Sequence, residues 1–294
     1  MDAARADPPP ARCVVKPVQV VAVTGGKGGV GKTNIAINLA VALAQSGQRA
    51  AVLDADFSLA NVDVLLGLHA DKTIEHVFRG ECSLSDIILT GPAGIRIIPA
   101  SSGARALTRL TSLEQAGLIR AFSDLGEQLD VLVVDTAAGI SDGVLTFVNA
   151  AREVLLVLWN EPSSFTDVYA LIKLLNRDFG RRRFRIMTNM LDSDAEGREL
   201  FRRLVVVCEQ FLDVSLLYAG AIPFDPALAR AVKKQVPVIL SEPSAPSSRA
   251  IRLLAQEVAS WPLSGKATGS LEFFVESLFS VPAAPQCKER QVDE

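Results

Sequence analysis

The chain has 294 residues, 49% of them hydrophobic and 21% charged, which is enough apolar material for a large buried core. A net charge of −3 and a pI of about 5.6 argue against a protein that mainly coats DNA. No stretch approaches the roughly 18 apolar residues of a membrane-crossing helix, and Cys13, Cys82, Cys208 and Cys287 form no C-x-x-C pair, so neither a zinc site nor a disulfide framework is indicated and a reducing, cytoplasmic setting fits.

Residues 1–17 contain Pro8-Pro9-Pro10 and no apolar period, and are expected to be a disordered arm. Arg5 and Arg12 have no apolar core after them, so the arm does not read as a signal peptide. Val18 to Thr24 (VQVVAVT) is a short β-branched run, expected as a buried strand. Gly26-Lys27-Gly28-Gly29-Val30-Gly31-Lys32-Thr33 follows and fits the P-loop pattern G-x-x-x-x-G-K-[ST]. Thr33 to Ser46 then reads as a helix rich in Ala and Leu, with Gly47 at the expected C-terminal cap. Strand, glycine loop and helix is the order the motif requires. The glycines let successive N–H groups turn toward phosphate oxygens, and the helix N-terminus adds partial positive charge. Lys32 is expected to reach the β- and γ-phosphates, and the Thr33 hydroxyl to ligate Mg²⁺, so ATP and Mg²⁺ are the expected cofactors.

Further strands are expected at 49–54, 95–99, 130–135, 153–159, 184–190 and 216–222, with helical patterns at 111–128, 163–178 and 194–212. Val131 to Val134 and Val154 to Leu158 are continuously apolar, which implies burial on both faces and a parallel sheet. The expected fold is α/β, a doubly wound and mostly parallel sheet with helices on both faces, in one domain over residues 18–262. Ser241 to Ser248 (SEPSAPSS) reads as a Pro/Ser loop before a helix from Arg249 to Ser260. Residues 263–294 are expected to form a flexible tether and a last amphipathic segment, in which Leu271, Phe274, Val275, Leu278 and Phe279 share one helical face. That face suits either a membrane surface or docking on the protein itself, and Glu272 and Glu276 on the other face disfavour anionic lipid. Arg181-Arg182-Arg183 with Arg185 is the densest basic run, read as a solvated turn or a contact for lipid or DNA. His69 and His76 are too few and too far apart for a metal site.

Two strand ends carry carboxylates, where open α/β sheets place their ligands. Asp135 follows four apolar strand residues in the Walker B arrangement and is expected to hold Mg²⁺, and Gly139 to sense the γ-phosphate from a mobile loop. Asp54 and Asp56 both follow the second strand. The absence of a guanine-reading N-K-x-D sequence favours ATP over GTP.

The run KGGVGKT resembles the deviant Walker A motif of the MinD/ParA family of P-loop ATPases. The resemblance covers about residues 18–262. It is closest to the flagellar-number branch, FlhG or FleN, through DADFSLANVDVLLGL, VVDTAAGISDGVLTFVNAA, YALIKLLNRDFG and LEFFVESL. It implies that Lys27 reaches across a homodimer interface to the partner's nucleotide. It also implies that Asp54 acts near the Mg²⁺ shell, that Asp56 orients the attacking water, and that Asn189 with Pro223 and Asp225 cradles adenine. Asn34 stands where many relatives carry Thr or Ser and lies outside the phosphate cradle. The implied function is a weak, regulatory ATPase that controls flagellar number as antiactivator of a FleQ-like transcription activator. A FlhF-like GTPase is a further implied partner, although the arm lacks the D-Q-A-x-x-L-R motif that some relatives use. The protein is expected in the cytoplasm or peripherally on the inner face of the plasma membrane, without direct DNA binding. A ParA-type ATPase that positions DNA or cargo is the alternative.

Overall fold

The computed structural model describes residues 17–56, 61–99, 112–262 and 271–279. β1 (Gln19–Thr24) leads into α1 (Lys32–Gln45), and β2 (Ala50–Ala55) into two short helices, α2 (Val62–Leu65) and α3 (Ile74–Phe78). β3 (Leu89–Thr90) and β4 (Arg96–Ile98) precede α4 (Ser112–Gly126). β5 (Val131–Thr136), α5 (Asp142–Ala150), β6 (Glu153–Trp159), α6 (Pro162–Phe179), β7 (Arg183–Leu191), α7 (Asp194–Phe211) and β8 (Ser215–Pro223) then alternate. Four helices follow: α8 (Pro226–Lys233), α9 (Val238–Ser241), α10 (Pro246–Ser260) and α11 (Leu271–Phe279).

The strands form one eight-stranded sheet in the order β3-β4-β2-β5-β1-β6-β7-β8, parallel except for β3. Every residue of β1, β2 and β5 is buried, which is why their sequences are apolar without alternation. Alternation survives in direction. Val20 and Ala22 face one core with α4 to α7, while Val21 and Val23 face the other with α1 and α10. The right-handed crossovers of such a sheet bring every parallel strand's C-terminal end to one edge, and the site lies there. Among the described residues, no helix is long and apolar enough to cross a membrane.

The structure corrects three sequence readings. The Pro/Ser stretch is partly helical, because α10 begins at Pro246, where proline's missing N–H costs nothing. Ser247 and Ser248 are fully buried, their hydroxyls donating to Asp225 and to the Glu242 carbonyl. The basic run is not a uniform solvated turn. Arg181 donates to the carbonyls of Asn149, Ala151 and Arg152 at the end of α5, and Arg185 is buried against Glu153 and Trp261. β3, two residues long, gave no periodic signal. Of the tail, residues 263–270 and 280–294 lie outside the described residues, as do 1–16 of the arm. Residues 271–279 are helical and sit on α4 and α5, with Leu271, Phe274, Val275 and Leu278 buried and Phe279 packed at the margin. The rings of Phe274 and Phe147 lie 6.3 Å apart.

Candidate functional site

The glycine loop joins the end of β1 to the start of α1. Gly31 adopts φ 92°, and a Cβ there would lie 2.5 Å from Asn189 Nδ2. Only glycine allows both the left-handed turn and this approach. Asn189 uses the closeness, donating its amide to the Val30 carbonyl at 2.8 Å, and so stitches the end of β7 to the loop.

Lys32 is buried and donates to the Lys27 carbonyl at 3.2 Å. Burial lowers its pKa, while Asp135 and Asp56 pull it back up. Asp135 is completely buried, and burial pushes it up to about 8. The Thr33 hydroxyl and Lys32 oppose that shift, yet neither carboxylate oxygen makes a well-formed hydrogen bond. Asp54 sits beside it in register across β2 and β5. Burial raises Asp54 to about 6, against three backbone donors. Its Oδ1 accepts from Asp56 N–H at 3.0 Å, and its Oδ2 from Asn61 at 3.0 Å and Val62 at 3.1 Å. One carboxylate therefore ties both ends of the segment after β2, of which residues 57–60 lie outside the described set. Gly139 adopts φ 95° and donates its N–H to the Gly25 carbonyl at 3.3 Å, which holds the segment after β5 against the glycine loop.

An orphaned buried carboxylate beside a second one is relieved by a proton or by a cation. Mg²⁺ suits the donors present, since it takes one or two carboxylates and a hydroxyl and shares the rest of its shell with phosphates and water. Thr33 and Asp135, with Asp54 behind them, fit that shell. Among the described residues no cluster of three His, Cys, Asp or Glu could hold a metal without such help.

Lys27 makes a contact that the sequence did not suggest. Its Nζ lies 2.6 Å from Glu161 Oε2 and 3.0 Å from Ser163 Oγ, both at the start of α6. The lysine expected to act on another subunit is here held by its own chain. Glu161 stands at the C-terminal end of β6, the sheet edge that binds ligands, and that position was the only available signal.

A cleft of about 550 Å³ joins the loop, from Gly28 to Asn34, with Asp56, Asn189, Pro223 and Asp225. The sequence reading missed Met190, Phe224 and Leu228 in its wall. Phe224 is 68% exposed, an apolar face that a planar base could cover. Asp225 has less freedom than expected. Its Oδ1 caps α8 through Ala227 N–H, and its Oδ2 accepts from the N–H and hydroxyl of Ser247. Burial raises its pKa, but these donors outweigh it and hold Asp225 below the ordinary carboxylate range.

The profile of the ParA family, described as "NUBPL iron-transfer P-loop NTPase", matches residues 16–259. The antiactivator FleN of Pseudomonas aeruginosa is 57% identical over 267 residues, covering 91% of this chain and 95% of the relative. The flagellum site-determining protein YlxH of Helicobacter pylori is 35% identical, covering 88% and 87%. Among solved structures, a chain of the MinC:MinD cell division complex of Aquifex aeolicus superposes with a TM-score of 0.69 at 25% identity, covering 85% of this chain and 99% of that one. The fold agrees with these matches, and the chain belongs to the ParA/MinD family of P-loop ATPases, which work on ATP with Mg²⁺.

Proposed function

We propose that this protein is an ATP-driven dimerising switch that controls flagellar number, restraining a FleQ-like transcription activator in one nucleotide state. The 57% identity to an antiactivator across nearly the whole of both chains supports the flagellar role. The observation that carries the switch is Lys27 held in cis by Glu161 and Ser163. Lys27 is superfluous to a self-sufficient P-loop, because Lys32 already serves the phosphates. A lysine given in trans would neutralise charge on the transferring phosphoryl group.

The residues divide the work. The loop amides and Lys32 bind the phosphates, and Lys32 exchanges the Lys27 carbonyl for them. Bound Mg²⁺ would neutralise phosphate charge from the side of Thr33 and Asp135. Asp54 holds its segment so that Asp56 faces the cleft and orients water. Phosphoryl transfer needs positioning more than a strong base, so an aspartate suffices. Asn189, Pro223, Phe224 and Met190 form the wall for adenine. Turnover is slow and regulatory, because the complete site exists only when a second copy supplies Lys27. In the single chain α11 is docked on α4 and α5; on dimerisation it leaves and offers its apolar face to partner or membrane surface.

ATPase rate per molecule, measured across protein concentration, tests this. It should climb with concentration in the wild type. Lys27→Ala should bind ATP yet hydrolyse it poorly, and Asp56→Ala should accumulate as an ATP-bound dimer that captures the activator in a pull-down. A flat rate, with Lys27→Ala as active as wild type, rejects the switch.

A further inference from the structure

We infer that the protein carries a second anion site, for a phosphate group, at the sheet edge opposite the P-loop. Arg183 opens β7 and Glu153 opens β6, so both lie at the N-terminal strand ends, a strand length or roughly 20 Å from the nucleotide edge. There the ends of α5 and α6 and the start of β7 enclose a groove of about 330 Å³, lined by Arg152, Arg181, Arg182, Arg183 and Phe179. Four arginines line it, in a chain whose net charge is −3. Arg182 and Arg183 are the exposed members of the lining. Glu153, also in the lining, is committed to Arg185 at 2.7 Å. Arg181 is neutralised by no carboxylate contact and instead donates to backbone carbonyls at the end of α5, which fixes its position. Asp213 meets Arg182 only at 3.4 Å, with both side chains largely exposed. Arg183 is exposed and makes no ion pair among the described residues.

Planar guanidinium forks around a pocket of this size suit a phosphate monoester or diester, which they bind through paired N–H donors. The phosphate could belong to a lipid headgroup or to a soluble organophosphate, and the groove's chemistry is common to both. The geometry leaves the site independent of the P-loop, so nucleotide and phosphate should bind together.

The test uses full-length protein saturated with MgADP, which fills the P-loop. Glycerol 3-phosphate is titrated by calorimetry, and vesicles of phosphatidylcholine with and without phosphatidylglycerol are tested by flotation. Wild type is compared with Arg182→Glu/Arg183→Glu and with Lys72→Glu/Arg79→Glu, a control of equal charge change elsewhere. ADP affinity reports that each variant is folded. The site predicts that at least one probe binds wild type and the control alike, and binds the Arg182/Arg183 variant about tenfold or more weakly, as expected for lost charge-assisted bonds. Binding of glycerol 3-phosphate assigns a soluble ligand, and binding of vesicles alone a headgroup. If neither probe distinguishes the Arg182/Arg183 variant from the control, the inference is wrong.

Discussion

The two edges of the sheet bury charge in opposite ways. At the N-terminal edge Glu153 and Arg185 are both buried, meet at 2.7 Å, and the guanidinium lies 3.7 Å over the Trp261 ring. Glu153, the buried carboxylate of that edge, has its counterpart. At the C-terminal edge Asp135 is equally buried and lacks a well-formed hydrogen bond, and Asp54 beside it adds repulsion. The fold pairs one buried carboxylate with an arginine and leaves the other without a partner of its own. Paired burial holds a structure together; unpaired burial is the mark of a candidate site.

Breaking the matched pair should cost most. Arg185→Ala leaves the Glu153 carboxylate buried alone and removes the stack on Trp261. Denaturant unfolding should show a loss of about 3–5 kcal/mol, with ATP affinity retained in the folded fraction. A loss below about 1 kcal/mol would mean the pair is no better than a surface salt bridge.

Lys32→Ala removes the main side-chain partner of the phosphates and should weaken ATP binding roughly 100-fold, or about 3 kcal/mol. Calorimetry showing undiminished affinity would remove Lys32 from the site. Folding should suffer little, since among the described residues Lys32 has only the Lys27 carbonyl as hydrogen-bond acceptor.

The contrast between these variants parallels what was legible in the sequence. The loop could be read because Gly26 to Thr33 is contiguous and its flanking strand and helix are local. Asp135 could be read because four apolar residues precede it. The matched pair could not, because Glu153 and Arg185 are 32 residues apart and each resembles a surface charge. The Lys27–Glu161 contact spans 134 residues and the Asn189 stitch spans 159. Only the sheet order brings such groups together. Most strands were legible for the reason that hides their neighbours: burial on both faces makes a run continuously apolar, whereas the two residues of β3 carry no pattern. The Pro/Ser stretch was misread because its serines use Asp225 and Glu242, which local turn chemistry does not foresee.

A smaller effect concerns the docked helix. Phe274→Ala should weaken the hold of α11 by on the order of 2 kcal/mol, below the usual core cost because the helix can detach and relieve the cavity. Hydrogen exchange of residues 271–279 reports this, and exchange should also quicken in wild type with ATP. Equal protection with ADP and with ATP would show that α11 is structural only.

The smallest effect has the opposite sign. Asp135→Asn replaces a buried carboxyl that is unmatched once it ionises, and should stabilise the nucleotide-free protein by about 1 kcal/mol above pH 8 while abolishing Mg²⁺-dependent hydrolysis. The pH dependence follows. Folded Asp135 keeps its proton up to about 8, whereas the unfolded side chain releases it near 3.8. Between these values the folded state binds more protons, so wild-type stability falls as pH rises through that window. Asp135→Asn should show a flatter profile from thermal melts. Parallel profiles for the two proteins would mean that Asp135 is ionised without strain.

The two flanks of the sheet have a consequence for what this molecule can do in a crowded cell. An open flank is a template on which a neighbour's backbone can continue the ladder without end. On one side the last strand is β3, only Leu89–Thr90, running against its neighbour and closed by Pro92. On the other, β8 is nine residues long, but its pairing slips twice, Gly220 takes φ 124°, and Pro223 ends it without a donor. Both flanks resist fibre-like growth. A second chain is left with the helical faces and the loop edge, where side chains rather than a continued ladder must make the contact.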